Sequence, residues 1–194
     1  MKLIIASPLF PPDIADPAPY VKRLAELLRE DYEVTVVAYG RLPEKIDGVK
    51  ILTADKRRPL PFRIWVYIFL LVKECVKADI LFFQNGPSVE LPAVFAALCT
   101  RVTLVFNISD LTALHVAKKG GIKSVIFDLA LSVSKIVLSN ESMQDKKCRI
   151  LAMPMEKPEI LPLEEHPSLA LENYKASWKE YLSQLSKIFI HARN

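Results

Sequence analysis

Glycine is scarce in this sequence, with five in 194 residues, and none falls into a Gly-x-Gly-x-x-Gly or Walker-type pattern. Tight binding of a dinucleotide or nucleoside triphosphate by this chain alone is therefore not expected, because such loops bring bare backbone close to phosphate. Histidine is scarcer still. His115, His166 and His191 stand far apart, which gives no metal-ligand spacing, and no motif implies a cofactor. The three cysteines, Cys75, Cys99 and Cys148, are odd in number and set in apolar surroundings. They read as reduced, buried thiols rather than a disulfide framework or a catalytic nucleophile. A strong charge of one sign is also missing. The formal net charge is +4, and no Lys/Arg face is interleaved with aromatics, which argues against a nucleic-acid partner. No apolar run approaches the ~20 residues that cross a bilayer. The opening residues lack a secretory pattern, since one lysine precedes a short apolar strand and prolines follow directly. The expected location is the cytoplasm.

What is present is a core and an alternation. Hydrophobic residues make up 51% of the chain, enough for one substantial domain. Apolar runs predict strands at Lys2 to Ala6, Glu33 to Ala38, Val49 to Thr53, Ile80 to Gln84, Val102 to Asn107, Lys135 to Ser139 and Arg149 to Ala152. Several lack polar alternation, which is how strands covered on both faces read. Helices are predicted between them, over Pro17 to Arg29, Pro61 to Lys77, Ser88 to Cys99, Leu111 to Lys118 and Ile122 to Val133, with Asp16 and Asp110 as candidate caps. The implied fold class is α/β: a single Rossmann-like, doubly wound, mainly parallel sheet with helices on both faces. Residues 1–155 form that domain. A proline-rich strap over 156–167 follows, and then a closing helix over 168–194 with Ser168 as its cap. Its stripe, Tyr174, Trp178, Tyr181, Leu185 and Ile188, is expected to lie back on the domain.

In order and spacing, these segments resemble the N-terminal, acceptor-side domain of retaining GT-B glycosyltransferases of family four. The likeness rests on Ser7-Pro8-Leu9-Phe10-Pro11-Pro12-Asp13-Ile14 with the helix and strand that follow it. It rests also on Ala78 to Ser88 with the helix from Leu91, on Leu104 to Asp110, and on the tail around Tyr174 and Trp178. The resemblance implies an acceptor-binding half that lacks its donor-binding lobe, so that hexosyl transfer from a nucleotide sugar would need a separate donor-binding subunit. Two departures stand out. The family's Gly-Gly pair after the Pro-Pro loop is Ala15-Asp16 followed by Pro17, and its hinge reads Ala152-Met153-Pro154-Met155. A carboxylate at Asp16 repels phosphate. A catalytically inactive scaffold or binding module, or a fragment of a larger enzyme, is the alternative that these departures favour.

Asp110 closes a buried strand and is the candidate to contact an acceptor hydroxyl; capping the next helix is its other role. Asn85, Gly86, Ser88, His115, Gly120 and Gly121 belong to the same expected cleft, because open α/β sheets bind ligands at the carboxyl ends of their strands; ordinary turns are the other reading of the three glycines, and a surface or structural role that of His115. The loop after the first strand adds Pro11, Pro12, Ala15 and Asp16. A second feature is the segment Lys56 to Val72, in which Arg57, Arg58 and Arg63 lead into nine apolar residues containing Trp65 and Phe69. Nothing polar faces outward there. Three covers are open: an anionic membrane at its inner face, a second copy in a homodimer, or the returning C-terminal helix.

Overall fold

Strands rich in β-branched and aromatic residues come first in each unit of this chain, and a helix that packs back on the sheet usually follows. In the computed structural model, residues 1–15, 17–108, 120–139, 147–151, 154 and 167–194 are described. Their strands are β1 (Lys2–Ser7), β2 (Glu33–Tyr39), β3 (Lys50–Ala54), β4 (Ile80–Gln84), β5 (Thr103–Ile108), β6 (Ile136–Ser139) and β7 (Cys148–Ile150). They form one sheet in the order β3-β2-β1-β4-β5-β6-β7, and every pairing is parallel. The described helices are α1 (Ala18–Leu28), α2 (Leu60–Cys75), α3 (Pro87–Cys99), α4 (Ile122–Val133) and α5 (Pro167–Arg193). This is the Rossmann-like α/β architecture that the alternation of apolar runs implies.

Alternate residues of each strand feed two cores. Ile80, Phe82 and Val105 join Val21, Leu24, Trp178, Leu185 and Phe189 on the side of α1 and α5. Leu81, Phe83, Leu104 and Phe106 join Tyr67, Leu71, Ala93 and Phe127 on the side of α2, α3 and α4. Each face of the sheet is thus covered, which is why β4 and β5 carry no polar alternation. Aromatic contacts tie α5 down: Trp178 stacks on Tyr20 at 5.9 Å between centroids, and Phe189 meets Phe82 edge-on at 5.8 Å.

Several expectations need correcting. The closing helix already includes Ser168, so that residue is not its cap. Its buried stripe ends on Phe189 and Ala192, with Ile188 only partly buried. A straight helix turns every 3.6 residues, so a stripe spaced at alternating fours and threes drifts by about 20° every seven residues, which brings Phe189 and Ala192 into the core beside it. Cys99 is exposed and Cys148 half-buried, leaving Cys75 as the buried thiol, pushed up to about 12 by desolvation. The returning helix lies on β4 and β5 on the α1 side of the sheet, opposite α2, which removes it as the cover for the apolar run on α2. Asp16, the helix expected from Leu111 to Lys118 and most of the strap fall outside the described residues.

Candidate functional site

The strand order reverses between β1 and β4, and the loops leaving their carboxyl ends diverge to opposite sides of the sheet. That divergence opens a crevice, the usual ligand site of such sheets. Gln84 ends β4 and sits in register with Asn107 near the end of β5. By strand alternation both project to the side of α1 and α5, as Phe82 and Val105 do. Both are buried, yet Nε2 and Oε1 of Gln84 and Nδ2 of Asn107 have no hydrogen-bond partner. An unpaired buried polar group costs about 1–3 kcal/mol, so two adjacent ones form an unusual concentration of unused hydrogen-bonding capacity. Ser7, on the neighbouring end of β1, is also buried, but its hydroxyl donates to the Leu9 carbonyl at 2.7 Å.

The turn into α3 adds a carboxyl group. Gly86 takes φ of 136°, a backbone region closed to most side chains, and there is open space where a Cβ would stand, so conformation and not crowding selects glycine. Its N–H donates to Glu90 Oε1 at 2.8 Å, which ties the first turn of α3 to the end of β4. Glu90 is buried and its Oε2 has no partner. Burial raises the Glu90 pKa, and the Gly86 bond opposes that rise only in part. Asn85 is buried, and its backbone N–H donates to the Asn107 carbonyl at 3.0 Å. The Ser88 carbonyl accepts a hydrogen bond from the Tyr39 hydroxyl at 2.7 Å. Tyr39 in turn stacks on Tyr67 at 4.3 Å, and the Tyr67 hydroxyl shares its one proton between the Val37 carbonyl at 2.9 Å and the Ser7 carbonyl at 3.1 Å, near the ends of β2 and β1. The carboxyl edge around the reversal is therefore fixed from beneath by buried tyrosines.

Of the residues expected in the cleft, Asn85, Gly86 and Ser88 stand together at the exit of β4. Gly120 and Gly121 lead into α4, both exposed and at positive φ, where a turn requires it. Pro11 and Pro12, joined by a cis peptide, line a pocket of about 710 Å³ with Ile14, Tyr20, Tyr174 and Trp178, together with the charged Lys22, Arg23, Glu26 and Glu44. Tyr20 and Tyr181 exchange a hydroxyl hydrogen bond of 2.5 Å beneath it. Ala15 is exposed beside this loop, while Asp16, Asp110 and His115 lie outside the described residues. Gln84, Asn107 and Glu90 were not expected in the site. A polar residue ending an otherwise apolar strand is the signal for the first two. For Glu90 it is an acid in the first turn after Gly86-Pro87. Among the described residues no group of metal-ligating side chains occurs.

Around α2, Arg57 pairs with Asp55 at 3.2 Å, Arg58 lies over the Phe62 ring at 5.7 Å and Arg63 over Tyr39 at 5.8 Å. Trp65 and Phe69 point outward, 67% and 65% exposed.

No protein-family model matches this sequence, and no curated protein sequence matches it. Solved structures do. A protein described as a UDP-N-acetylglucosamine 2-epimerase from Listeria monocytogenes aligns with 72% of this chain and 39% of its own, at 16% identity and a TM-score of 0.49. The UDP-GlcNAc 2-epimerase of Methanocaldococcus jannaschii aligns over 72% and 39%, at 13% identity and 0.44. An alpha-glucosyltransferase solved with UDP and a 13-mer DNA containing a central A:G mismatch aligns over 72% and 37%, at 11% identity and 0.44. The chain spans about two fifths of the length of each. The assignment to the Rossmann-like class rests on the strand order within this chain.

Proposed function

We propose that this chain is the acceptor-binding half of a GT-B sugar-transferring enzyme, of family four by its sequence resemblance. A donor-binding lobe from another subunit would present the nucleotide sugar. The observation that carries this reading is the unsatisfied hydrogen-bonding capacity of two buried amides beside the strand-order reversal, both polar atoms of Gln84 and Nδ2 of Asn107. Carboxamides both donate and accept, which suits a ligand rich in hydroxyl groups. Asp110, shortly after the end of β5, is the group proposed to take the hydrogen bond, and then the proton, of the attacking hydroxyl. The hydroxyl oxygen bonds to the anomeric carbon as the sugar's bond to the nucleoside diphosphate breaks. The described residues form one wall of such a site, and transfer is proposed to need a donor-binding lobe facing it.

The experiment is calorimetry with candidate acceptors, glycans and polyprenyl phosphates, on the wild type and on Gln84→Leu with Asn107→Leu. If these amides are kept for a ligand, the double variant is more stable than the wild type in urea by about 1–3 kcal/mol and loses acceptor binding. A variant that binds as the wild type does would overturn the reading. Transfer is then assayed after adding a donor-binding lobe. A second reading, an inactive scaffold, is favoured by Ala15-Asp16 in place of Gly-Gly, and it prevails if no acceptor binds and no lobe restores transfer.

A further inference from the structure

The three helices on one side of the sheet share a property that none shows alone. On α2, Phe62, Trp65 and Phe69 are exposed at helical spacing; on α3 the outward residues are Leu91, Phe95 and Leu98; on α4 they are Ile122, Val125 and Leu129. The helices are neighbours in one layer, with α3 between α2 and α4. Their inner residues are shared in a single core, so the apolar stripes lie side by side on its outer surface. Exposed apolar side chains scattered singly are ordinary, whereas a contiguous set across three helices marks a docking face.

Charge selects the occupant. The exposed charged residues of α2, α3 and α4 are Lys73, Lys123 and Asp128, and α3 has none. Arg58 and Lys77 flank α2, both exposed. Of the acidic residues on these three helices Glu74 and Glu90 are buried, and the one exposed acid, Asp128, is outnumbered by Arg58, Lys73, Lys77 and Lys123. A two-fold partner of the same chain would bring these cations toward their own copies, since an isologous interface places one patch against itself. An anionic lipid surface complements them.

We propose that this face docks on an anionic membrane, with the aromatic and aliphatic side chains of α2, α3 and α4 seated in the headgroup region and Arg58, Lys73, Lys77 and Lys123 against lipid phosphates. No described helix is long and apolar enough to cross a bilayer, so the contact is peripheral. The helices begin at the carboxyl edge of the sheet, which places the exposed Phe62 and Ile122 on the same edge as the candidate site. Docking stands independently of sugar transfer: it predicts lipid binding whether or not any acceptor is recognised.

The test is cosedimentation with vesicles of phosphatidylcholine, with and without phosphatidylglycerol. Binding is expected only to the anionic vesicles, falling as salt is raised. Phe69→Ser with Phe95→Ser, on two different helices, weakens it by about tenfold or more. Arg58→Ala with Lys73→Ala weakens it by roughly fivefold for each cation removed. These positions are on the surface, so each variant keeps its far-ultraviolet circular dichroism. Fluorescence supplies a second readout. The chain has two tryptophans, and Trp65 is exposed while Trp178 is buried. A blue shift on anionic vesicles is expected in the wild type and absent from Trp65→Phe. Equal binding to both vesicle types, binding to neither, or a lipid-free dimer dissolved by Phe69→Ser with Phe95→Ser each overturns the proposal.

Discussion

Glu90 is where burial and charge are most opposed. Its carboxyl group is out of water, with one oxygen held by the Gly86 N–H and the other without a partner, and its pKa is raised chiefly by desolvation. A carboxyl group whose pKa is higher in the folded chain than in the unfolded one binds more protons when folded. Its contribution to stability is present below the ordinary carboxylate range and is lost as pH rises through the raised value. Glu90→Gln keeps a carbonyl oxygen for Gly86 and cannot ionise. Urea unfolding across pH is therefore expected to find the variant more stable than the wild type at neutral pH, with the gap closing in acid. A gap that does not change with pH would show that Glu90 is not the titrating group. Single residues of this kind were only half legible. Gly86 was read from its place after a strand, and Asn85 with it. Gln84 and Asn107 stood in plain view as polar ends of apolar strands, yet nothing local told that they adjoin or lack partners.

At the scale of elements, period was the strong signal. Every strand predicted from its apolar run is present, most within a residue or two at each end, because a strand buried on both faces leaves a continuous hydrophobic stretch that no exposed segment imitates. The closing helix was legible as a helix together with its apolar stripe, in which Ile188 packs partly buried against the core, whereas the fully buried Phe189 beside it was not singled out. That burial is measurable. Phe189→Ala removes a ring packed on Phe82 and Tyr32 and is expected to cost about 3–5 kcal/mol. Ile190→Ala, on the adjacent exposed position, should stay within about 0.5 kcal/mol. Chemical denaturation of the two variants checks the assignment, and equal losses would place the buried face elsewhere.

For the whole molecule, one sheet supplies both cores, since neighbouring residues of each strand enter opposite ones. Neither core can dissolve while the other stays packed, so unfolding is expected to be a single transition. In Trp65→Phe the remaining Trp178 reports the docking of α5, and far-ultraviolet circular dichroism reports the sheet and its helices. The two curves should coincide in urea; an earlier tryptophan transition would mean that α5 leaves first.

The sequence by itself determined the number and kind of described elements and the need for cover on both faces of the sheet, because these follow from periodicity within a few neighbouring residues. Tertiary structure alone decided the order β3-β2-β1-β4, the meeting of Gln84 with Asn107 at the edge, and the placement of α5 on the same face of the sheet as α1. That last placement left the apolar stripes of α2, α3 and α4 facing outward. Pairing between strands distant in sequence depends on how whole faces fit together, and no local pattern of residues encodes which face a returning helix will choose.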